Sequence, residues 1–248
     1  MEFIPCRDCA KKPGPKPGYY YVDFGYQKAA VECSCHKEYM KQKNFLTAAP
    51  EAGIWVEALR YDPEKDYVGI KSKINVERVM KYVMGFEKYS SELLYFWGPN
   101  GTQKTTLAQW VGASLLFKGY TVKYLLMQNL LSLLTSKFDS DDDKIKAIDK
   151  LYTADLLIID ESFSKDKVTL YESGYQLPFL DRFIRERAEI RRKGIIFISN
   201  KGPTTIESQK FSKSIQDFVE RNTKRSCLYF EDNYMQTVSD FEPTSIFD

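Results

Sequence analysis

The chain has 248 residues, of which 43% are hydrophobic, 28% charged and 15% aromatic, which excludes a disordered tail or a fibre and leaves enough chain to bury a core without disulfides. Its 36 Lys and Arg face 34 Asp and Glu, so a formal charge of +2 excludes a histone-like binder and leaves any nucleic-acid surface to local clustering. No stretch approaches the roughly 20 apolar residues of a membrane span, and the N-terminus MEFIPCRDC lacks a signal-peptide pattern, so a cytoplasmic protein without membrane contact is expected.

Cys6, Cys9, Cys33 and Cys35 lie near the N-terminus, and Cys227 stands alone near the other end. An odd number of cysteines without a secretion signal argues for thiols as metal ligands and against a disulfide framework. The cluster reads Cys-x2-Cys, a loop of 23 residues, then Cys-x-Cys-His. Zinc takes four thiolate or imidazole ligands in a tetrahedron, and a pair from each end of a loop closes such a site. Cys6, Cys9 and Cys33 are the expected ligands, with Cys35 preferred to His36 as the fourth, because adjacent positions do not easily both point inward. Lys11, Lys12 and Lys16 beside Tyr19, Tyr20 and Tyr21 suit either phosphate contact with base stacking on a single strand or packing of the rings over the module. A zinc-binding module is expected over 1–44. A linker is expected over 45–72, where Pro50, Gly53, Pro63 and Gly69 interrupt single apolar residues.

From about Ile74 strands alternate with helices. The apolar run 93–97 predicts a strand buried on both faces, ended by Gly98. Helical spacing of Leu107, Val111, Leu115 and Leu116 predicts a helix over 104–118, closed by Gly119. Strands follow at 122–127, 155–160, 195–198 and 227–230, with helices at 130–137, 144–152, 176–192 and 212–223. This alternation predicts a mainly parallel five-stranded sheet covered on both faces. The acidic run 139–143 reads as a solvated loop, and 232–248 as an acidic tail.

The strongest local signal is Gly98-Pro99-Asn100-Gly101-Thr102-Gln103-Lys104-Thr105-Thr106, between a strand and a helix. Such a loop cradles phosphates with backbone N–H groups and a helix N-terminus, while its Lys reaches the β and γ phosphates and its hydroxyl ligates magnesium. Lys104 and Thr105 fit those roles. Gln103 departs from the pattern, which has Gly there, and a left-handed conformation at a residue with a Cβ incurs strain of about 1–2 kcal/mol. About 55 residues on, the strand LLIID ends in Asp160 and Glu161, where a magnesium-organising Asp and a water-activating Glu belong. The strand IIFIS ends at Asn200, placed at the same sheet edge to bond a γ-phosphate and the attacking water.

The order GPNGTQKTT, LLIIDE, IIFISN, SIQDFVERNTKR and CLYFE resembles the AAA+ ATPases of the DnaC/IstB group, replicative-helicase loaders and transposition helpers, over about residues 75–231. The resemblance implies an α/β P-loop AAA+ (ASCE) core over 73–231, ATP and magnesium as ligands, and Asn200 as the sensor. It also implies that Arg221, with Arg225 in reserve, completes a neighbouring subunit's site. An N-terminal cysteine module is similar to that of loaders from Gram-positive bacteria and their phages. The resemblance therefore implies a zinc-containing loader that binds single-stranded DNA, self-associates into a ring or helical oligomer and delivers or opens a hexameric replicative helicase. Lys165 and Lys167 are a further candidate surface for nucleic acid. Two other readings stay open: an IstB-like transposition helper acting on duplex DNA, and a nucleotide-gated adaptor that does not hydrolyse, suggested by Gln103.

Overall fold

The computed structural model describes residues 3–135 and 142–231. The N-terminal region opens with a short helix α1 (Arg7–Ala10) and an antiparallel hairpin of β1 (Tyr19–Asp23) and β2 (Lys28–Glu32), in which Tyr19 lies opposite Glu32. Gly25, at φ 82°, turns the hairpin and donates its N–H to Asp23 Oδ1 at 2.8 Å.

Helix α2 (Ser34–Ala52) starts directly after Cys33 and runs without a break past residue 44. Its C-terminal part buries Phe45, Ala49 and Ala52 in the main core, with the Phe45 ring 6.2 Å from that of Phe117. The segment 45–72, expected as a linker, is therefore largely packed structure. Of the turn formers that suggested a linker, Gly53 caps the helix at φ 73°, where glycine is favoured, whereas Pro50 lies inside the last turn and removes one backbone donor from it. A Cβ at Gly53 would stand 2.7 Å from the carbonyl oxygen of Tyr124. A 3-10 turn (Val56–Arg60), α3 (Pro63–Asp66), α4 (Lys73–Met84) and α5 (Phe86–Tyr89) complete this region.

The remainder alternates as expected: β3 (Leu93–Trp97), α6 (Lys104–Phe117), β4 (Val122–Leu126), α7 (Met127–Thr135), α8 (Asp142–Thr153), β5 (Leu156–Asp160), α9 (Gln176–Arg185) with a π turn (Glu186–Ile190), β6 (Gly194–Ser199), α10 (Lys213–Thr223) and β7 (Cys227–Tyr229). Helix α7 begins three residues before the expected 130, because Met127, Leu130, Leu131 and Leu134 form one buried stripe. Residues 136–141 and the acidic stretch 232–248 lie outside the described residues, while Asp142 and Asp143 open α8.

The five strands run in the order β4-β5-β6-β3-β7, and each adjacent pair is parallel. Alternate side chains feed two cores, as the period of a strand requires. Leu94, Phe96, Ile158, Ile196 and Ile198 face α2, α4 and α6, whereas Tyr95, Leu157, Ile159, Ile195 and Phe197 face α7, α9 and α10. Arg187 is fully buried and donates to the carbonyls of Leu151, Tyr152, Ala154 and Gly194, tying the end of α8 to the start of β6. In an open parallel sheet, the carboxyl ends of the strands border the ligand crevice. Here β3, β5 and β6 deliver Gly98, Glu161 and Asn200 to that edge. Among the described residues, no helix is long and apolar enough to cross a membrane.

Candidate nucleotide site and cysteine cluster

The loop after β3 leaves the sheet through Gly98, at φ 148°, where a Cβ would lie 2.0 Å from the carbonyl oxygen of Phe230. It enters α6 through Gln103, which has φ 59° and ψ 17° and so holds the left-handed conformation that the missing Gly would have adopted freely. The side-chain amide of Gln103 is engaged on both sides. Val68 donates its N–H to Oε1 at 3.1 Å, and Nε2 donates to the carbonyl of Asp66 at 3.4 Å.

Lys104 is only 6% exposed, and its ammonium donates to the carbonyls of Gly98 at 2.9 Å and Pro99 at 2.6 Å and to Thr102 Oγ1 at 2.9 Å. Burial lowers its pKa to about 8, with Asp160 acting the other way. Thr105 opens the next link by donating its hydroxyl to Asp160 Oδ2 at 2.8 Å. Tyr124, from β4, donates to the same oxygen at 2.7 Å, and Glu161 N–H donates to Oδ1 at 2.6 Å. Sequence reasoning missed Tyr124; its signal was a polar-tipped residue inside the β4 strand, paired in register with Ile158 two residues before Asp160. Burial and the neighbouring carboxylate push the Tyr124 phenol well above its ordinary range.

Glu161, at φ 52°, has its carboxylate 3.3 Å from Lys167 Nζ. Gln103, Lys104, Thr105, Asp160, Glu161 and Asn200 all border one cavity of about 400 Å³. Asn100, Gly101, Thr102 and Thr106 share that border, while Gly98 and Pro99 hold the lysine from behind. The loop thus supplies a cation and the N-terminus of α6, and the two strand ends supply carboxylates and an amide, a donor set that fits a magnesium-bound nucleoside triphosphate.

Arg221 and Arg225 are not part of this group. Both border a separate hollow with Glu92 and Leu93, at the start of β3 and hence at the opposite end of the sheet. Arg221 is exposed and donates to Glu189 Oε1 at 3.1 Å.

The second candidate site is the cysteine cluster. The sulfurs of Cys6 and Cys9 are 3.6 Å apart, those of Cys6 and Cys33 3.7 Å, and those of Cys9 and Cys35 3.4 Å, with all four within 4.8 Å of one another. A zinc ion bonded to four thiolates at about 2.3 Å sets its sulfurs about 3.8 Å apart, so the cluster fits a tetrahedral thiolate site. The buried Cys9 thiol, crowded by the other three sulfurs, is pushed up to about 12, as expected of a group that ionises readily only beside a cation. His36 is used otherwise. Its Nδ1 lies 2.6 Å from Glu32 Oε1, and its ring packs against Phe3 at 4.9 Å and Tyr19 at 5.1 Å. The adjacent tyrosines carry lysines on their faces, with Lys16 Nζ 4.5 Å from the Tyr19 ring centre and Lys12 Nζ 4.5 Å from that of Tyr20. Tyr21 is 47% exposed.

The strand order, the phosphate-type loop after β3 and the carboxylates after β5 define a P-loop AAA+ fold of the α/β class. Comparison with solved structures agrees. The chain is similar to the DnaC helicase loader (TM-score 0.53, 17% identity, covering 76% of this chain and 98% of that one) and to DnaI (TM-score 0.54, 16% identity, covering 73% and 94%). It is also similar to AMPPCP-bound DnaA from Aquifex aeolicus (TM-score 0.55, 18% identity, covering 73% of this chain), of which it spans 54% of the length. No protein-family model and no curated protein matches the sequence, so at these identities the likeness shows the fold.

Proposed function

We propose that this protein is an ATP-dependent loader of a hexameric replicative DNA helicase, binding single-stranded DNA and hydrolysing ATP between subunits of a ring or helical oligomer. The observation that carries the ATPase reading is the chain of contacts from Thr105 to Asp160 to Glu161 N–H beside the buried Lys104 ammonium. In this reading Lys104 leaves its three loop acceptors for the β and γ phosphates, which is an exchange of one set of oxygens for another with more charge. The orphan N–H groups at the start of α6 bind the same phosphates. Magnesium, held at Thr105 and Asp160, would neutralise charge on the phosphate oxygens. Glu161 accepts a proton from the attacking water, Asn200 orients that water, and Arg221 of an adjacent copy offsets charge in the transition state.

The resemblance to loaders and the DnaC and DnaI neighbours support the assignment of the partner. The cysteine cluster, read as a zinc site of Cys6, Cys9, Cys33 and Cys35, supports a metal-stabilised N-terminal module. One observation favours a second reading: Gln103 is fastened to residues 66–68, which suits a nucleotide-gated adaptor that binds ATP without turning it over.

The test of the helicase assignment is ATP-dependent transfer of a purified hexameric helicase onto a single-stranded circle. Transfer that requires Lys104 supports the loader; transfer equal with and without this protein rejects it.

A further inference from the structure

Tyr124 stands outside the phosphate-type loop, yet its hydroxyl donates to Asp160 Oδ2 at 2.7 Å. The Thr105 hydroxyl donates to the same oxygen at 2.8 Å, and Glu161 N–H donates to Oδ1 at 2.6 Å. A carboxylate oxygen carries two lone pairs, so the two hydroxyls fill Oδ2, and the backbone donor leaves one lone pair open on Oδ1. Asp160 is only 6% exposed, which keeps solvent from replacing these donors.

The phenol is held in place by its surroundings. Tyr124 lies opposite Ile158 in the parallel register of β4 and β5, two residues before Asp160 and on the same face of the sheet. The cap of α2 presses on its backbone at Gly53, whose carbonyl accepts from Gln109 Nε2 at 3.3 Å. Gln109, fully buried on α6, also accepts the N–H of Trp55 at 2.9 Å and stands beside the phenol. The Tyr124 ring packs against the core that α2 and α6 share, so the hydroxyl stays on Oδ2.

We propose that Tyr124 selects the divalent cation that accompanies the triphosphate, favouring magnesium over calcium, by closing Oδ2 of Asp160 to direct bonding with the metal. The inference rests on the reading of the cavity as a nucleotide site with a cation at Thr105 and Asp160. Magnesium gives up water reluctantly and keeps several waters when bound, so a carboxylate that reaches it through water suits it. Calcium takes about six to eight oxygens and binds carboxylates through one or both of their oxygens, and two hydroxyls on Oδ2 oppose that. Thr105 keeps its proton on Oδ2 while its own lone pairs remain open to the ion, so Tyr124 is the donor that completes the closure.

The experiment is calorimetric binding of AMPPCP to the full chain and to Tyr124→Phe, in saturating magnesium chloride and again in saturating calcium chloride. The wild type should bind the magnesium complex about tenfold more tightly than the calcium complex, the scale of one hydrogen bond to a charged group. Tyr124→Phe keeps the packed ring and should bring the two affinities within about twofold, chiefly through tighter binding of the calcium complex. A role confined to the fold would weaken both complexes alike and leave their ratio unchanged, and that result overturns the inference alone. Equal affinities in the wild type overturn it too, whether or not the variant folds. Binding of neither complex by the wild type overturns the nucleotide reading of the cavity and the inference with it.

Discussion

Val68 donates its backbone N–H to the side-chain oxygen of Gln103, so the loop residue that departs from the phosphate-loop pattern is also the one that fastens the loop to the segment before α4. The left-handed strain at Gln103, about 1–2 kcal/mol, is set against two exposed hydrogen bonds of about 0.5–1.5 kcal/mol each. Gln103→Gly removes both contributions, and thermal unfolding should show a stability change below about 1 kcal/mol. Gln103→Ala keeps the strain and loses the bonds, and should cost about 1–2 kcal/mol. In both variants the Val68 amide should exchange with solvent faster, measured by hydrogen exchange. Unchanged Val68 protection would show that the side chain does not hold the segment.

The cysteine geometry separates two neighbouring residues. Cys35→Ser should lower bound zinc well below one equivalent, whereas His36→Ala should retain it while losing the Glu32 contact and the ring packing on Phe3 and Tyr19. Atomic emission analysis of protein purified without chelator reads both. Loss of zinc from His36→Ala with retention in Cys35→Ser would reverse the assignment.

Lys104 predicts a proton linkage. Burial holds its pKa near about 8, below the ordinary 10.5, so above pH 8 the free site increasingly carries a neutral amine. A bound triphosphate favours the ammonium and raises that pKa. Nucleotide binding at pH 8.5 should therefore take up protons, and affinity should fall as pH rises through 8. Calorimetry in buffers of different ionisation enthalpy measures the uptake, and its persistence in Lys104→Met would place the proton elsewhere.

Much of the fold was legible because the apolar runs ending at Trp97, Asp160 and Ser199 are buried on both faces, and such runs leave a plain trace in sequence. The course of 45–72 was not, since Pro50 opposes a helix locally, and the last turns of α2 are held by the burial of Phe45, Ala49 and Ala52 in the core. In the site, the grouping of Lys104, Thr105, Asp160, Glu161 and Asn200 follows from strand ends meeting at one edge. The Tyr124 hydroxyl and the Lys167 contact depend on which neighbour a side chain meets across strands and loops, which spacing along one segment does not encode.

Arg221 lies at the opposite sheet end from the loop of its own chain, so its proposed role requires a second copy. Glu161→Gln and Arg221→Ala should each be nearly inactive alone, and mixing them should restore part of the wild-type rate, since a site with intact Glu161 then meets an intact Arg221. A mixture no more active than its components would remove Arg221 from the site, and the same assay with Arg225→Ala tests the reserve residue.

The cavity at the carboxyl edge of the sheet is proposed to bind and hydrolyse ATP, and steady-state phosphate release by the purified protein, with and without single-stranded DNA, beside Lys104→Ala and Glu161→Gln, reads this out. The wild type should turn over and both substitutions should abolish turnover, with Glu161→Gln still binding nucleotide. Turnover that survives Lys104→Ala, or none from the wild type with nucleotide bound and DNA present, would contradict it.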